Sequence, residues 1–430
     1  MTTFLVFLGA LFFFMALGLP LAFVLIICAA FMMLSLGQTD IMVIAQNMVS
    51  GTNNFSLMAI PFFMLAGEIM DRGGLSIRIV RFAKLIVGRI RGGLGYVAIL
   101  ATIVFSGLSG SAVADAAALG AILIPLMTAN GYRKSRSVAF IAAGAIVAPM
   151  IPPSIPMIVM GTSTGLSITK LFMSGLVPGL IVCLGLMAAW FFILRHDGYD
   201  DRETFSGEEA KKIMLDSLPA LMMPILIVGG IRFGWFTPTE AGAFAVVYAL
   251  IICTFVYKEF SFADIGKVLI SAATSTATIM FIVGGATAAS IYFTLAQVPA
   301  AMANALSSLI QQPTILLLLI NVFLLFMGMI MDCTPNILIF APVLFPIIKK
   351  AGIDPYYFAC LMNFNLCIGL ITPPVGVVLY VAMNASKDGE RVPVGQVIRD
   401  LIPFLGVEFA LLFLMILIPS LITAPLGWLT

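Results

Sequence analysis

Long apolar runs dominate the chain, and they are interrupted at a few positions by glycine, serine and proline. Runs of about 20 apolar residues are long enough to cross a bilayer as helices. The chain does not show the period-two alternation of a membrane barrel. The pattern therefore predicts an all-α integral membrane protein. Composition agrees, because 61% of the 430 residues are apolar and 10% are charged, whereas soluble domains have roughly 45–50% and about 25%.

Two of the interruptions have counterparts 221 positions later. The stretch 106–115 corresponds to 326–336, and the proline-rich stretch 148–156 corresponds to 369–376. Five of the seven identical pairs are glycine or proline, which fix the shape of the backbone. The spacing predicts an internal repeat in which each unit contains a broken helix, a pattern that indicates a transporter binding site. The pairs are Phe105 with Phe326, Gly107 with Gly328, Leu123 with Leu344, Pro125 with Pro346, Gly131 with Gly352, Pro152 with Pro373 and Pro153 with Pro374.

Basic residues on both sides of the run 94–130 predict that this run enters the membrane and returns on the same side. Positive charge marks the cytoplasmic side, so 94–130 is expected to be a re-entrant hairpin with its tip at the Gly/Ser stretch. A second hairpin is expected at 313–348. Five crossings separate the two, so they should open to opposite faces, as an inverted repeat requires. The flanking basic residues are Arg78, Arg81, Lys84, Arg89 and Arg91 before the run, and Arg133, Lys134 and Arg136 after it.

The remaining segments are expected to form a scaffold around the two repeat units. We predict scaffold spans and a cytoplasmic amphipathic helix in 1–92, the first repeat in 93–164, further scaffold spans and arm helices in 165–311, the second repeat in 312–388 and a C-terminal span in 389–430. Within these, we expect one long first span in residues 1–35, a polar loop in 195–217, a separate surface helix around Asp264 and Lys267 before a span at 269–297, and a last span at 400–425.

Unwound helices expose carbonyl oxygens, which favour small cations. At the first break, the hydroxyls of Ser106 and Ser109 are expected to face backbone carbonyls across the membrane core. The 221 shift places a second site at the other break. Hard oxygen ligands without a required carboxylate favour Na⁺. The predicted ligands are Ser106, Ser109, Ala148, Ile151 and Pro153 at the first site, and Gly328, Gly369, Thr372 and Val375 at the second.

Proton coupling is the main alternative, and it requires titratable groups inside the membrane. Asp115 and Asp332, just past the two hairpin tips, are the strongest candidates. Glu240 fits a capping box that begins at Thr237, whereas Glu68 and Glu408 are expected to pair structurally. The sole histidine, His196, is expected to be solvated in the polar loop. A receptor or scaffold that binds without transporting is a further alternative.

Other classes of function are disfavoured. No Walker loop is present, so ATP does not drive the chain directly, and no enzyme constellation is found. The net charge of +2 gives no indication of nucleic-acid binding. All six cysteines lie in apolar segments without CxxC spacing, which indicates core thiols rather than disulfides or metal ligands.

Several motifs, in order along essentially the whole chain, resemble the large membrane subunit of the tripartite ATP-independent periplasmic (TRAP) transporters. They are Ile60-Pro-Phe-Phe-Met-Leu-Ala-Gly-Glu68, Ser109-Gly-Ser-Ala-Val-Ala-Asp115, Ile151-Pro-Pro-Ser-Ile-Pro156, Thr237-Pro-Thr-Glu-Ala-Gly242, Asp332-Cys-Thr-Pro335 and Gly369-Leu-Ile-Thr-Pro-Pro374. The resemblance implies an elevator-type fold like that of the ion-transporter superfamily, in the bacterial inner membrane. It also implies coupling to two or more Na⁺ ions, a separate small four-helix membrane subunit and a periplasmic substrate-binding protein.

The same resemblance implies an organic-acid substrate bound between the two hairpin tips. Family members handle C4-dicarboxylates, sialic acids and other sugar acids, and the sequence does not select among them. The residues then expected to bind the substrate are Ser111, Asp115, Ser154, Asp332, Thr334, Asn336 and Pro374.

Overall fold

The structure, a computed structural model, describes residues 2–195, 202–305, 307–386 and 392–429. Every regular element within these ranges is helical, which confirms the all-α prediction. Seven of the described helices are long and apolar enough to cross a membrane. The expectation for His196 falls outside the described residues.

The N-terminal region does not form one long span, so that prediction is wrong. Gly18 has a φ of +79° and Pro20 has no backbone N–H, so the helix is interrupted here. A helix of 15 residues lies on each side of the interruption, and the two pack on each other. The helices of this region are α1 (Thr2–Ala16), α2 (Leu21–Ser35), α3 (Met42–Thr52), α4 (Ala59–Arg72) and α5 (Leu75–Val87).

Helix α5 is the predicted amphipathic helix. Leu75, Ile79 and Ala83 are buried along one face, at the spacing expected of an apolar stripe. On the other side, the ammonium of Lys84 lies 2.6 Å from the carboxylate of Glu203. Helix α5 is therefore held to the protein by an apolar face and by ion pairs.

The first repeat unit has the predicted hairpin and broken helix. Helices α6 (Gly93–Ser109) and α7 (Ala112–Ala129) form the hairpin, and α8 (Lys134–Ala145) and α9 (Ile155–Thr164) are the two halves of the broken helix. The hairpin turns at Gly110, whose φ of +61° is a left-handed conformation that favours glycine. Ser106 and Ser109 accordingly belong to the last turn of α6.

The middle of the chain differs from the sequence prediction in two places. The polar segment 195–217 is not a loop throughout, because Ser206 and Glu209 form a capping box that starts a helix at Gly207. No separate surface helix surrounds Lys267, which instead lies in the first turn of a 31-residue helix. The helices are α10 (Ile168–Leu194), α11 (Gly207–Arg232), α12 (Pro238–Ile251, continued by a π turn over Ile252–Val256), α13 (Ile265–Leu295), α14 (Val298–Ala305) and α15 (Ser307–Ile310).

The second repeat unit reproduces the first at the predicted offset. A shift of 221 carries the bounds of α7 onto those of its counterpart, Cys333–Lys350. Both breaks also contain a cis prolyl peptide, at Pro152–Pro153 and at Pro373–Pro374. The helices of this unit are α16 (Pro313–Gly328), α17 (Cys333–Lys350), α18 (Pro355–Gly369) and α19 (Val377–Ala385).

The last expected span is misplaced at both ends. Helix α20 (Val394–Leu417) starts six residues before position 400, and a short helix, α21 (Ser420–Leu429), follows it. Pro419 lies between them, and its missing N–H accounts for the stop.

The two repeat units interlock. Helix α7 packs on α8 of its own unit and on α19 of the other, while α17 packs on α18 and on α9. Between the hairpins, the described helices provide five crossings, made by α8 with α9, then α10, α11, α12 and α13. An odd number of crossings turns the second hairpin upside down relative to the first, so the repeat is inverted.

Helices outside the repeats fall into two groups by their packing. Helices α10 and α20 pack on each other, and each packs on both broken helices. Helices α2, α3, α4 and α12 instead pack around α13 or against one another. Of this second group, α4 and α13 also contact the hairpins, through α6 and α17 respectively.

Candidate ion and substrate site

The tip of the first hairpin lies directly against the first break. A Cβ atom built on Gly110 would overlap the carbonyl oxygen of Pro153, and one built on Gly107 would lie 3.7 Å from the carbonyl oxygen of Pro152. At Gly110, backbone thus meets backbone, which only glycine allows. The residues predicted for the first ion site are brought together at this contact.

Three carbonyls at the first break have no hydrogen-bond donor. Those of Ala148, Ile151 and Pro153 accept no hydrogen bond from any described residue, although the break is buried. Buried carbonyls are normally paired. Their freedom leaves a cluster of hard oxygen ligands that suits a small cation.

Asp115 lies behind the serine hydroxyls of this cluster. Ser106 donates to Oδ2 of Asp115 at 3.0 Å, and Ser109 donates to Oδ1. The carboxylate is fully buried, and no described basic side chain pairs with it. Because the hydroxyl protons point at Asp115, lone pairs of the serine oxygens stay available to a ligand: both on Ser106, and one on Ser109, which also accepts from the Ser111 N–H at 3.2 Å. When ionised, the carboxylate has no cationic partner among the described side chains.

The first break is also tied to the second repeat unit. Ser154 caps α9 by accepting from the Met157 N–H at 3.3 Å, and it donates to the Pro149 carbonyl. Asn363 of α18 donates to the same carbonyl at 2.7 Å. Ser154 is therefore buried in a structural network and does not face the space between the hairpin tips. Sequence reasoning missed Asn363, although an amide in an apolar run is a detectable signal.

The second hairpin meets the second break in the same way. A Cβ atom on Gly369 would overlap the backbone of Gly328, and one on Gly328 would lie 3.0 Å from the Leu366 carbonyl oxygen. The carbonyls of Gly328 and Val375 accept no hydrogen bond from described residues. The Gly369 carbonyl, by contrast, accepts from the Thr372 N–H at 3.0 Å, and the Thr372 hydroxyl donates to Ile368.

Asn336 occupies the position that corresponds to Asp115 under the 221 shift. Its amide nitrogen donates to the carbonyls of Met327, Met331 and Asp332 at 3.0–3.3 Å. Both residues therefore tie down the turn of their own hairpin. Asp115 does so by accepting hydrogen bonds and Asn336 by donating them, and only Asp115 can carry a charge.

The two hairpin tips share one cavity of about 70 Å³. Ser111 lines it from the first tip, and Asp332 and Thr334 line it from the second. Asp115 and Asn336 lie buried behind the lining, and Pro374 is exposed elsewhere on the break. Met64 and Ile279 close the cavity from α4 and α13. Three of the seven residues expected to bind substrate thus meet in one place.

The remaining acidic candidates have different surroundings. Glu240 forms the expected capping box with Thr237, and Glu68 accepts from Ser271 at 2.8 Å, which links α4 to α13. Glu408 is fully buried, but neither of its oxygens has a hydrogen-bond partner among the described residues. The expectation that Glu408 pairs structurally is wrong.

Two helical hairpins and two broken helices, inverted and meeting at clusters of free carbonyls, define an inverted-repeat membrane transporter. The fold is similar to that of the YdaH transporter of Alcanivorax borkumensis, with a TM-score of 0.62 over 89% of this chain and 88% of that one. The two share 16% sequence identity, so this similarity concerns the fold alone.

Sequence comparison identifies the family. Residues 8–421 match the family model described as "Tripartite ATP-independent periplasmic transporter, DctM component". The chain is 44% identical to the 2,3-diketo-L-gulonate TRAP transporter large permease protein YiaN of Escherichia coli, over 99% of both chains. It is 37% identical to the sialic acid TRAP transporter large permease protein SiaM of Vibrio cholerae, over 94% of this chain and 93% of that one. The chain belongs to the family of TRAP transporter large permeases, which are multi-pass bacterial membrane transport proteins and not enzymes.

Proposed function

We propose that this chain is the permease subunit of a Na⁺-coupled importer of organic acids in the bacterial inner membrane. It works with a small four-helix membrane subunit and with a periplasmic binding protein that delivers the substrate. Two Na⁺ ions bind where the hairpin tips meet the breaks, and the substrate binds between the tips. The repeat units carry the two Na⁺ ions and the substrate across the membrane by an elevator motion.

The observation that carries the proposal is the unpaired oxygen cluster at the first break. Free carbonyls of Ala148, Ile151 and Pro153 face the helix end that holds two serine hydroxyls. Hydroxyl and carbonyl oxygens suit hard cations rather than soft ones. The buried charge of Asp115 has no basic partner, and a Na⁺ ion among these ligands would balance it.

The second site is proposed to be neutral. Free carbonyls of Gly328 and Val375, together with the Thr372 hydroxyl, supply its oxygens, and Asn336 stands where the first site has Asp115. The Gly369 carbonyl can contribute only through its second lone pair, since it already accepts from Thr372. The two sites are thus alike in backbone and different in charge.

Helix ends rather than basic side chains are proposed to hold the organic anion. The cavity is lined by no arginine, lysine or histidine. However, α7 begins at Ala112 and α9 at Ile155, and both of these residues line the cavity, whereas the start of α17 is already capped by the carboxylate of Asp332. Helix N-termini attract anions. Since YiaN is named for a sugar acid and is 44% identical, we propose that the substrate class is sugar acids.

Packing supports a moving unit larger than the two repeats. Helices α10 and α20 pack on both broken helices, so we propose that they move with them. Helices α2, α3, α4, α12 and α13 form the other packed group, which serves as the static scaffold. Met64 and Ile279 put this scaffold at the edge of the cavity, where sliding would cover and uncover the substrate.

Uptake into proteoliposomes tests the proposal. We expect the permease, its small subunit and its binding protein to accumulate a radiolabelled sugar acid only with an inward Na⁺ gradient. Equal uptake in K⁺ medium driven by a proton gradient would instead support the proton-coupled alternative. Binding without accumulation under every gradient would support a receptor and contradict transport.

Serine and threonine variants test the two ion sites. Ser106→Ala and Thr372→Ala should each raise the Na⁺ concentration needed for half-maximal uptake, because each removes an oxygen ligand. Ser174→Ala is the matched control, since its buried hydroxyl also donates to a backbone carbonyl, that of Leu171, at 2.7 Å. Unchanged Na⁺ dependence in both site variants would remove the site assignment.

A further inference from the structure

Two buried thiols meet at the second hairpin tip. The sulfur atoms of Cys333 and Cys367 lie 3.6 Å apart, and both residues are at most 1% exposed. Cys333 is the first residue of α17, and Cys367 lies two residues before the end of α18. The pair therefore joins the moving hairpin to the broken helix beside it.

The spacing of the two sulfur atoms fits a single bridging atom. Sulfur atoms 3.6 Å apart subtend roughly 100° at a centre that lies about 2.3 Å from each, the usual distance from Zn²⁺ to thiolate sulfur, and this angle is close to tetrahedral. Soft centres prefer thiolate ligands. The geometry suits tetrahedral or pyramidal thiophilic centres better than linear ones.

The pair is reachable from the substrate cavity. Cys333 lines that cavity together with Asp332 and Thr334, so a small reagent that enters the cavity meets this thiol first. The corresponding positions of the first repeat are Ala112 and Ile146. Only the second hairpin has the pair.

We propose that Cys333 and Cys367 form a dithiol site for thiophilic centres, namely trivalent arsenicals and soft divalent metals such as Cd²⁺. An organic arsenic(III) oxide reacts there without a redox change. Each thiol gives up its proton, two As–S bonds form, and the oxide oxygen leaves as water with both protons. The bridge fastens the first turn of α17 to α18 beside the substrate cavity and the second ion site, where the bridging centre obstructs the binding of substrate and Na⁺ and so blocks uptake.

Intact-mass measurement of the purified full-length permease tests the site directly. After treatment with phenylarsine oxide, the wild-type protein should carry one adduct that survives a monothiol wash and is released by a dithiol. Cys333→Ala and Cys367→Ala should each lose this adduct. Cys360→Ala, another buried cysteine of α18, is the matched control and should retain it. The proposal would be overturned if both site variants kept an adduct that survives a monothiol wash, or if the wild type formed no such adduct.

Uptake provides the second measurement, and this part depends on the proposed function. Phenylarsine oxide and Cd²⁺ should each abolish Na⁺-driven uptake by the wild type and by Cys360→Ala, with recovery after dithiol treatment. Whatever their untreated rates, the Cys333→Ala and Cys367→Ala transporters should lose no further uptake when either reagent is added. Adduct formation in the wild type without any loss of uptake would contradict the blocking role. If untreated protein shows no Na⁺-driven uptake, the proposed function fails, while the mass measurement still decides the site.

Discussion

At the scale of single residues, Asp115 and Asn336 distinguish the two proposed ion sites. They occupy matched positions and fasten matched turns, but their hydrogen bonds run in opposite directions. The acceptor leaves lone pairs on the two serine oxygens and, when ionised, contributes a charge. The donor contacts three carbonyls and contributes no charge. We therefore expect the first site to bind Na⁺ more tightly than the second.

Asp115→Asn should raise the Na⁺ concentration for half-maximal uptake by roughly tenfold. It removes the buried charge and the charge-assisted hydrogen bonds, which are worth about 1.5–3 kcal/mol, and each 1.4 kcal/mol corresponds to about a tenfold change in affinity. Na⁺ titration of uptake gives the value. Asp354→Asn is the control, because this exposed N-cap of α18 loses its charge but can keep its cap. A Na⁺ requirement that rises equally in both variants would show a general charge effect.

Asn336→Asp should lower stability, not merely alter Na⁺ affinity. The substitution removes the amide that donates to three carbonyls, of which that of Met331 has no other donor among the described residues, and it places an acceptor among them. An unsatisfied buried group costs about 1–3 kcal/mol. Thermal unfolding of the purified protein should show a clear drop in the midpoint. Asn384→Asp, at an exposed amide that donates to a carbonyl of its own helix, should change little. An unaltered midpoint at position 336 would refute the turn-fastening role.

The sequence predicted the serines and carbonyls of the first site but not the orientation of Asp115. Helix periodicity indicates which residues share a face. It does not show whether the side chain of Asp115 points back across the first hairpin to the serines or forward into the cavity between the hairpin tips. That choice follows from the left-handed turn at Gly110, and tertiary structure was needed to reveal it.

At the scale of elements, the glycines at the tips decide how closely hairpin and break approach. Gly110 lies against the carbonyl of Pro153, and Gly369 lies against Gly328. These contacts bring the helix ends close enough to share an ion. The backbone shape that glycine and proline fix thus forms the proposed site, and side chains only add ligands to it.

Gly110→Ala should abolish or strongly reduce uptake while the protein still folds. The added methyl group would overlap the Pro153 carbonyl and push the tip away from the break. Gly131→Ala is the matched control, since Gly131 also has a positive φ, +86°, but has no atom within 4 Å of the added methyl. Backbone strain is common to both variants, so a similar loss in each would attribute the effect to strain rather than to the tip contact.

Element boundaries were predicted well where glycine and proline mark them and poorly where only charge was used. The bounds of the hairpins and breaks follow the repeated Gly and Pro positions. The charges of the segment 195–217 favour a loop, although Ser206 and Glu209 have the spacing of a capping box. Likewise, the charges of Asp264 and Lys267 favour a separate surface helix, although a charged residue in the first turn is compatible with a long span.

At the scale of the whole molecule, the inverted repeats bring both hairpin tips to one cavity. Each hairpin packs on the broken helix of both units, so the two tips share the cavity instead of forming separate pockets. Scaffold helices α4 and α13 touch its edge through Met64 and Ile279. In the proposed elevator motion, this arrangement would expose the same residues first to one side of the membrane and then to the other.

The most direct test of this account is the sidedness of Ser111→Cys, made in a transporter that carries Cys333→Ala. A membrane-impermeant maleimide is applied from the periplasmic side in spheroplasts and from the cytoplasmic side in inverted vesicles. We predict labelling from both sides, with a balance that shifts when Na⁺ replaces K⁺. Labelling from one side only, under every ionic condition, would contradict a shared cavity that opens alternately.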